Sequence, residues 1–374
     1  MKLSDLRTPS VLIDKTRLEQ NVDRMQAAAK ARSIRLRPHA KTHKSPDLAR
    51  VQIARGAVGI CCAKLGEAEV FAAAGIEDIR LPYPINPVNV DRVLRLLDVT
   101  RLSFIVDDVD VARGWSGLMR VNKREVDVLV KVDVGFHRCG MDPERRDAAE
   151  LVARVAELPG LRFRGLLSHA GHAYGAGSES EIAAIAANEA QTLVRLAAEV
   201  ERLGPRVEEV SVGATPTARF SLQQDGITEL RPGNYIYFDR TQVGLGAATW
   251  DDCALTVLAR VVSRPSVDRI ILDCGSKTLT TDQARGFGST PGFGVVYEDL
   301  DTPRPNESLL VERLSEEHAN VRVVGTPCGL KTGDLVRVLP NHACVVSNLV
   351  DSVWLVNGDA VLDELPIAAR GRIA

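Results

Sequence analysis

From residue 11 to about residue 240 the chain alternates short apolar runs with amphipathic helical stretches. VLID opens the series as a short strand and runs into a helix, KTRLEQNVDRMQAAAKARS. IRLRPH, VGICCA, DIRLPYP, LSFIVDD, VDVLVKVDVG, FRGLLSHAG, EEVSVGATPT and ITELRPGNYIYFD then read as strands. Helical patterns such as SPDLARVQIARG, LGEAEVFAAAG, NPVNVDRVLRLLDV, DAAELVARVAELP and ESEIAAIAANEAQTLVRLAAEVERLG separate most of them. A repeating strand-helix order makes the strands parallel, because each helix returns the chain to the same edge. About eight strands in roughly 220 residues fit a (β/α)8 barrel better than a dinucleotide-binding sheet. No GxGxxG follows a strand, which removes the main support for the dinucleotide alternative.

Near Thr241 the texture changes. CALTVLARVVSRP, DRIILDCGSK, LVRVLPNHACVVSNL and SVWLVNGDAVLDELP alternate or run apolar with hardly any helix, so a mostly antiparallel β domain is expected. The expected division is a barrel over residues 15–240 and a β domain over 241–374, joined by the N-terminal segment 1–14. LTTDQARGFGSTPGFG reads as a long loop. A net charge of -2 gives no reason to expect nucleic acid or an anionic membrane. No apolar run is long enough to span a bilayer, and MKLSDLRTPS lacks the apolar core of a signal peptide. Seven scattered cysteines without a CxxC point to a reducing, cytoplasmic setting rather than a disulfide framework.

The barrel places its chemistry at the strand C-terminal ends and the loops after them. LRPHAKTHKS, Leu36 to Ser45, lies there. Arg37, His39, Lys41 and His43 recur at every second position, one face of an extended chain, with Lys44 beside them. Such a run is either a solvated strand end or an anion site with one reactive lysine. Lys41 is the candidate, since a lysine there can form a Schiff base with a carbonyl cofactor. The loops after strands seven and eight, the usual phosphate site of this fold, read SVGATPT and RPGNYIYFD. Gly213 and Gly233 let backbone N–H groups approach an anion, and Thr215, Thr217 and Asn234 add donors. Both loops are expected opposite Lys41.

VDVGFHRCG puts Arg138 just past another strand, where it would either sit on the surface or meet a ring nitrogen. SHAGHAYG carries His169, His172 and Tyr174; His169 would stack on a cofactor ring or simply pack in the core. In LPNHACVVSNL, His342 and Cys344 stand two apart on an expected strand and so face one way. Imidazole plus thiolate suits Zn2+, and two ligands fit an open catalytic site.

Together RPHAKTHK, VGFHRCG, HAGHAY, RPGNYIYFD and PNHAC resemble the fold-type III pyridoxal-phosphate enzymes. More narrowly, the chain is similar to the D-serine dehydratase and D-threonine aldolase group, over nearly its whole length and in order. The resemblance implies an alanine-racemase-like barrel plus β domain, assembled as a homodimer. It implies Lys41 as the Schiff-base lysine, Arg138 at the pyridine nitrogen and His169 against the ring. Thr215, Gly213, Gly233 and Asn234 would hold the phosphate, Tyr174 would also bind the cofactor, and Lys41, His169 and Tyr174 would be the catalytic residues. His342 and Cys344 would bind the metal, Zn2+ with Mn2+ or Mg2+ as alternatives. HxC with HAGHxY resembles the zinc-dependent D-serine and D-threo-3-hydroxyaspartate dehydratases. An HxD, the pattern of the metal-dependent D-threonine aldolases, is absent. The implied reaction is β-elimination of water from a D-3-hydroxy amino acid, giving a keto acid and ammonia. Retro-aldol cleavage to glycine and an aldehyde is the alternative. A non-catalytic pyridoxal-phosphate carrier would resemble the barrel alone, and a racemase would need a second base opposite Lys41.

Overall fold

The computed structural model describes residues 1–289, 291–300, 305–325 and 328–374. Of the loop read over 279–294, Thr290 lies outside the described residues. The first strand is β1 (Ser10–Asp14). Asp14 ends that strand and caps the helix Lys15–Ala31, its side chain accepting the Arg17 N–H at 3.0 Å. Eight strands follow: β2 (Arg35–Leu36), β3 (Ile60–Cys61), β4 (Asp78–Pro84), β5 (Arg101–Val106), β6 (Val126–Lys131), β7 (Leu161–Leu167), β8 (Glu209–Val212) and β9 (Glu229–Leu230). All their pairings are parallel, in the order β2-β9-β8-β7-β6-β5-β4-β3. A parallel bridge between His39 and Cys61 joins β2 to β3, and the ring closes into a (β/α)8 barrel.

Alternate strand residues point inward, and here they carry charge. Arg37 Nε lies 2.8 Å from Glu229 Oε2, and Arg80 Nη2 lies 2.8 Å from Glu209 Oε2. Arg80 also pairs with Glu229, and Arg37 with Asp78. Gly59, at φ +153°, makes room for this network: a Cβ there would stand 2.6 Å from Arg37 Nη1. Ile105, Leu129 and Leu167 form a small apolar cluster on β5, β6 and β7.

The second domain contains β10 (Leu255–Ser266), β11 (Arg269–Leu272), β12 (Gly294–Tyr297), β13 (Asn306–Leu314), β14 (Ala319–Val323), β15 (Leu335–Pro340), β16 (Ser352–Asn357) and β17 (Ala360–Pro366). Because β10 pairs with both β11 and β15, the run β10-β11-β14-β13-β12-β15 closes as an antiparallel ring. β1 extends it, pairing antiparallel with β10 and parallel with β16. No helix among the described residues is long and apolar enough to cross a membrane.

One longer helix and three strands, β12, β13 and β14, went unread in the sequence. The helix Val109–Val121 has a glycine at 114 and another at 117 among β-branched residues, which weakens the helical signal. It is held by its cap, Asp108, which accepts the Asp110 and Val111 N–H groups at 2.8 and 2.9 Å. Strand β13 lacks clean alternation because a register shift falls between Val311 and Arg313.

Candidate active site

At the C-terminal end of the barrel, against the β domain, lies a cavity of about 340 Å3. Lys41, Arg138, His169, Tyr174, Gly213, Thr215, Gly233, Asn234, His342 and Cys344 all line it. Residues more than 300 positions apart in sequence are therefore brought to one space.

The basic run around Lys41 does not share one face. Regular strand pairing of β2 ends at Leu36, and a 3-10 turn, Ala40–Thr42, replaces the two-residue period by three. Arg37 points down into the barrel's ion pairs. His43 Nε2 turns to Gln52 Oε1 at 3.3 Å, and Lys44 pairs with Glu67 at 3.2 Å and donates to Asn348 at 2.8 Å. Only His39 and Lys41 of the five line the cavity. Burial, then the Lys41 charge, push the His39 imidazole well below its usual range, so it stays neutral beside the amine.

The two glycine loops follow β8 and β9. Since β9 neighbours β2, they lie beside the Lys41 turn rather than opposite it. Among the described residues, no hydrogen bond takes up the N–H groups of Thr215, Gly233 and Asn234, and the buried Thr215 Oγ1 also has no partner. A Cβ at Gly233 would stand 2.9 Å from Thr42 Oγ1 and 3.1 Å from His39 O, so glycine keeps this cradle open. The Asn234 side chain is not a free donor: Nδ2 donates to Asp239 Oδ2 at 2.6 Å and lies 3.4 Å from Cys344 Sγ. Its backbone N–H is what faces an anion. Beneath the loops sits Arg231, buried, its Nη1 donating to Ser211 Oγ at 2.6 Å and Val212 O at 3.2 Å and its Nη2 to Ser168 O. Free N–H groups, an orphaned hydroxyl and a fixed cation are a donor set that fits a phosphate. Arg231 was not singled out from the sequence, although it opens the RPGNYIYFD motif.

On the adjoining wall, Arg138 is exposed and stacks over Phe136 at 5.2 Å. His169 meets the same ring edge-on at 5.7 Å, and its Nδ1 lies 3.0 Å from Gly213 O, which assigns the proton to Nδ1. Burial and then Lys41 and Lys131 hold this imidazole neutral as well. Burial raises the Tyr174 phenol, so it remains an O–H donor. His172 lies in an adjoining groove rather than in this cavity.

His342 and Cys344 are not on a strand. β15 stops at Pro340, and His342 caps a short helix, Ala343–Ser347. The pair converges through that turn and not through two-residue alternation. Asp282 Oδ2 lies 2.5 Å from His342 Nδ1, which leaves Nε2 as the ring nitrogen available to Cys344 or a metal. Asp239 Oδ2 accepts the Ala343 N–H at 3.0 Å and so ties this turn to Asn234. Cys344 Sγ lies 3.3 Å from Thr42 Oγ1, next to Lys41. Burial opposes charge on both groups. Their mutual hydrogen bond outweighs it, raising His342 to about 10 and lowering the Cys344 thiol. Among the described residues no three His, Cys, Asp or Glu side chains converge as a metal site. The donors fit a divalent cation bound by two protein ligands, with its other positions open. Asp239, Asp282 and Arg285 also line the cavity and were not read from the sequence, although Asp239 closes the RPGNYIYFD motif.

Comparison with known proteins identifies the fold and the family. Residues 13–241 match the family described as alanine racemase, N-terminal domain, and residues 254–356 match the serine dehydratase domain. A D-threonine aldolase from Arthrobacter sp is 33% identical over 375 residues, 99% of this chain and 94% of that protein. A D-threo-3-hydroxyaspartate dehydratase from Delftia sp. strain HT23 is 32% identical over 355 residues, 91% of this chain and 92% of that protein. A solved structure of a D-threo-3-hydroxyaspartate dehydratase, a cysteine-to-alanine variant in the metal-free form, superposes with a TM-score of 0.91 at 29% identity. The match covers 98% of both chains. The fold is thus alanine-racemase-like, and the chain belongs to the family that joins an alanine racemase N-terminal domain to a D-serine dehydratase domain, among relatives named as D-hydroxy amino acid dehydratases and aldolases.

Proposed function

We propose that this chain is a pyridoxal-phosphate- and zinc-dependent lyase that removes water from a D-3-hydroxy amino acid, giving a keto acid and ammonia. The observation that carries this reading is the meeting, in one cavity, of a lysine, an open phosphate cradle and an imidazole–thiol pair. The N–H groups of Thr215, Gly233 and Asn234 would hold the phosphate. His169, neutral and fixed through Gly213, would lie against the ring. Arg138 would face the ring nitrogen. The cofactor, when bound, supplies an electron sink for charge developing at Cα.

Lys41, at the mouth of the barrel, takes the Cα proton. Neutral His39 beside it leaves room for the extra charge. His342 and Cys344 would hold Zn2+, a Lewis acid suited to the β-hydroxyl. Cys344 is the soft donor in that pair and favours Zn2+ over the harder Mg2+ and Mn2+. Tyr174 stays protonated and can donate a hydrogen bond to the leaving oxygen.

Product analysis tests the reading. D-serine and D-threo-3-hydroxyaspartate should give ammonia and a keto acid, in a Zn2+-dependent way. Glycine with acetaldehyde as the main products from D-threonine would replace dehydration by aldol cleavage.

A further inference from the structure

The β domain sends one long loop across the cavity. Asp282 of this loop is committed to His342. Arg285, three residues on, also lines the cavity, is exposed to it, and forms no ion pair among the described residues. The loop is fastened to the short helix Arg240–Gly244. The Gly288 N–H donates to Gly244 O at 3.0 Å, and within the loop Ser289 Oγ donates to Arg285 O. Gly286, at φ +96°, packs so closely that a Cβ would stand 2.5 Å from the Gly244 carbonyl carbon. The backbone that carries Arg285 is therefore held in place.

Its position has a chemical meaning. Beyond the cavity, Arg285 also lines the groove between Phe136 and Phe287, where the buried His172 Nδ1 has no partner. The loop whose Asp282 meets His342 thus brings a guanidinium with no ion pair among the described residues to the cavity that His342 and Cys344 also line. A substrate whose β-hydroxyl meets His342 and Cys344 would lie in the cavity that Arg285 also lines.

We propose that Arg285 recognises a carboxylate on the substrate's β-carbon, which makes D-3-hydroxyaspartate-type dicarboxylates the preferred class over D-serine or D-threonine. A guanidinium matches a carboxylate by two parallel N–H···O bonds, and a methyl group or hydrogen offers neither. This inference rests on the lyase reading for the placement of the β-carbon.

The test uses the cofactor- and zinc-loaded protein and two ligands without a leaving hydroxyl, D-aspartate and D-alanine, titrated by calorimetry. The unaltered protein should bind D-aspartate more tightly. Arg285→Met should weaken D-aspartate by about 10- to 100-fold and leave D-alanine within about 3-fold, as expected for a lost charge-assisted pair. Arg285→Lys should recover part of the loss. An equal loss for both ligands would make Arg285 an α-carboxylate or purely structural group. No loss, or no D-aspartate preference at the start, would also overturn the proposal. If elimination itself were wrong, the unaltered protein would release no ammonia from D-threo-3-hydroxyaspartate, whatever the calorimetry shows.

Discussion

In the (β/α)8 barrel, Arg37, Arg80, Glu209 and Glu229 fill the centre; in the β domain the corresponding space holds Val257, Leu272, Val311, Val321 and Val338. A neutral centre is stabilised by burial and tolerates any side chains of the right volume. A charged centre is stable only while each charge keeps its partner. It also sets direction: Arg231 stands two residues beyond Glu229 on the same face, under the phosphate loops, and Ser211 bridges the two by accepting from Arg231 and donating to Glu229. The barrel thus builds a fixed cationic floor from its own interior. The β domain contributes its chemistry differently, through one turn at His342–Cys344 and one loop at Asp282–Arg285, both attached to an apolar scaffold. On the proposed function, the barrel half would hold the cofactor and the β half the metal, each by its own means.

The largest expected effect is at Lys41. Lys41→Ala should lower turnover by about 100- to 10,000-fold, the range for a lost acid–base group, with folding intact because the side chain is exposed. Borohydride reduction followed by peptide mapping should place the cofactor on Lys41. An adduct on Lys44, committed to Glu67 and Asn348, or on Lys64, which lies over Tyr83, would move the site off the cavity.

Next come the two interiors. Glu229→Gln strips a partner from Arg37 and Arg80 and should cost about 3–5 kcal/mol, read by urea unfolding. Leu272→Ala leaves a cavity instead and should cost about 2–5 kcal/mol. The two costs should part company with pH. Burial works against the Glu229 carboxylate, but Arg80 and Arg37 outweigh it and hold it well below the ordinary range. Its stabilisation is therefore present above the unfolded value of about 4.3 and fades as pH falls toward the depressed native one. The penalty of Glu229→Gln should shrink in acid while that of Leu272→Ala stays. Equal pH behaviour would erase the contrast between the barrels.

A smaller effect is expected at Thr215. Thr215→Val removes one donor and should weaken cofactor retention by about 1.5–3 kcal/mol, measured by equilibrium dialysis. Unchanged retention would place the phosphate elsewhere.

The barrel was legible because strand-helix alternation is a long-range pattern that local exceptions do not hide. Even so, the helix Val109–Val121 escaped, since Gly114 and Gly117 dilute its signal and Asp108 supplies the missing stability. The candidate side chains were legible as residues but not as geometry. Arg37 and His43 lie in the same run as Lys41, and only the 3-10 turn at Ala40–Thr42 separates the buried members from the exposed one. HxC read as a strand face is in fact a helix cap, and the two residues still meet. Arg231, Asp239 and Arg285 were missed because their roles come from residues distant in the chain. Asp239, for example, joins Asn234 to Ala343 over more than 100 positions.

The division of labour between the halves is tested most directly by exhaustive chelation of the cofactor-loaded protein, with ammonia release and bound-cofactor absorbance followed together. Cys344→Ala should behave in the same way, since one histidine is a poor zinc site. The expected result is loss of ammonia release from D-serine and D-threo-3-hydroxyaspartate with the cofactor still bound, and recovery when Zn2+ is returned. Full ammonia release without metal, or loss of the cofactor along with it, would contradict the assignment of the metal to the β half and the cofactor to the barrel.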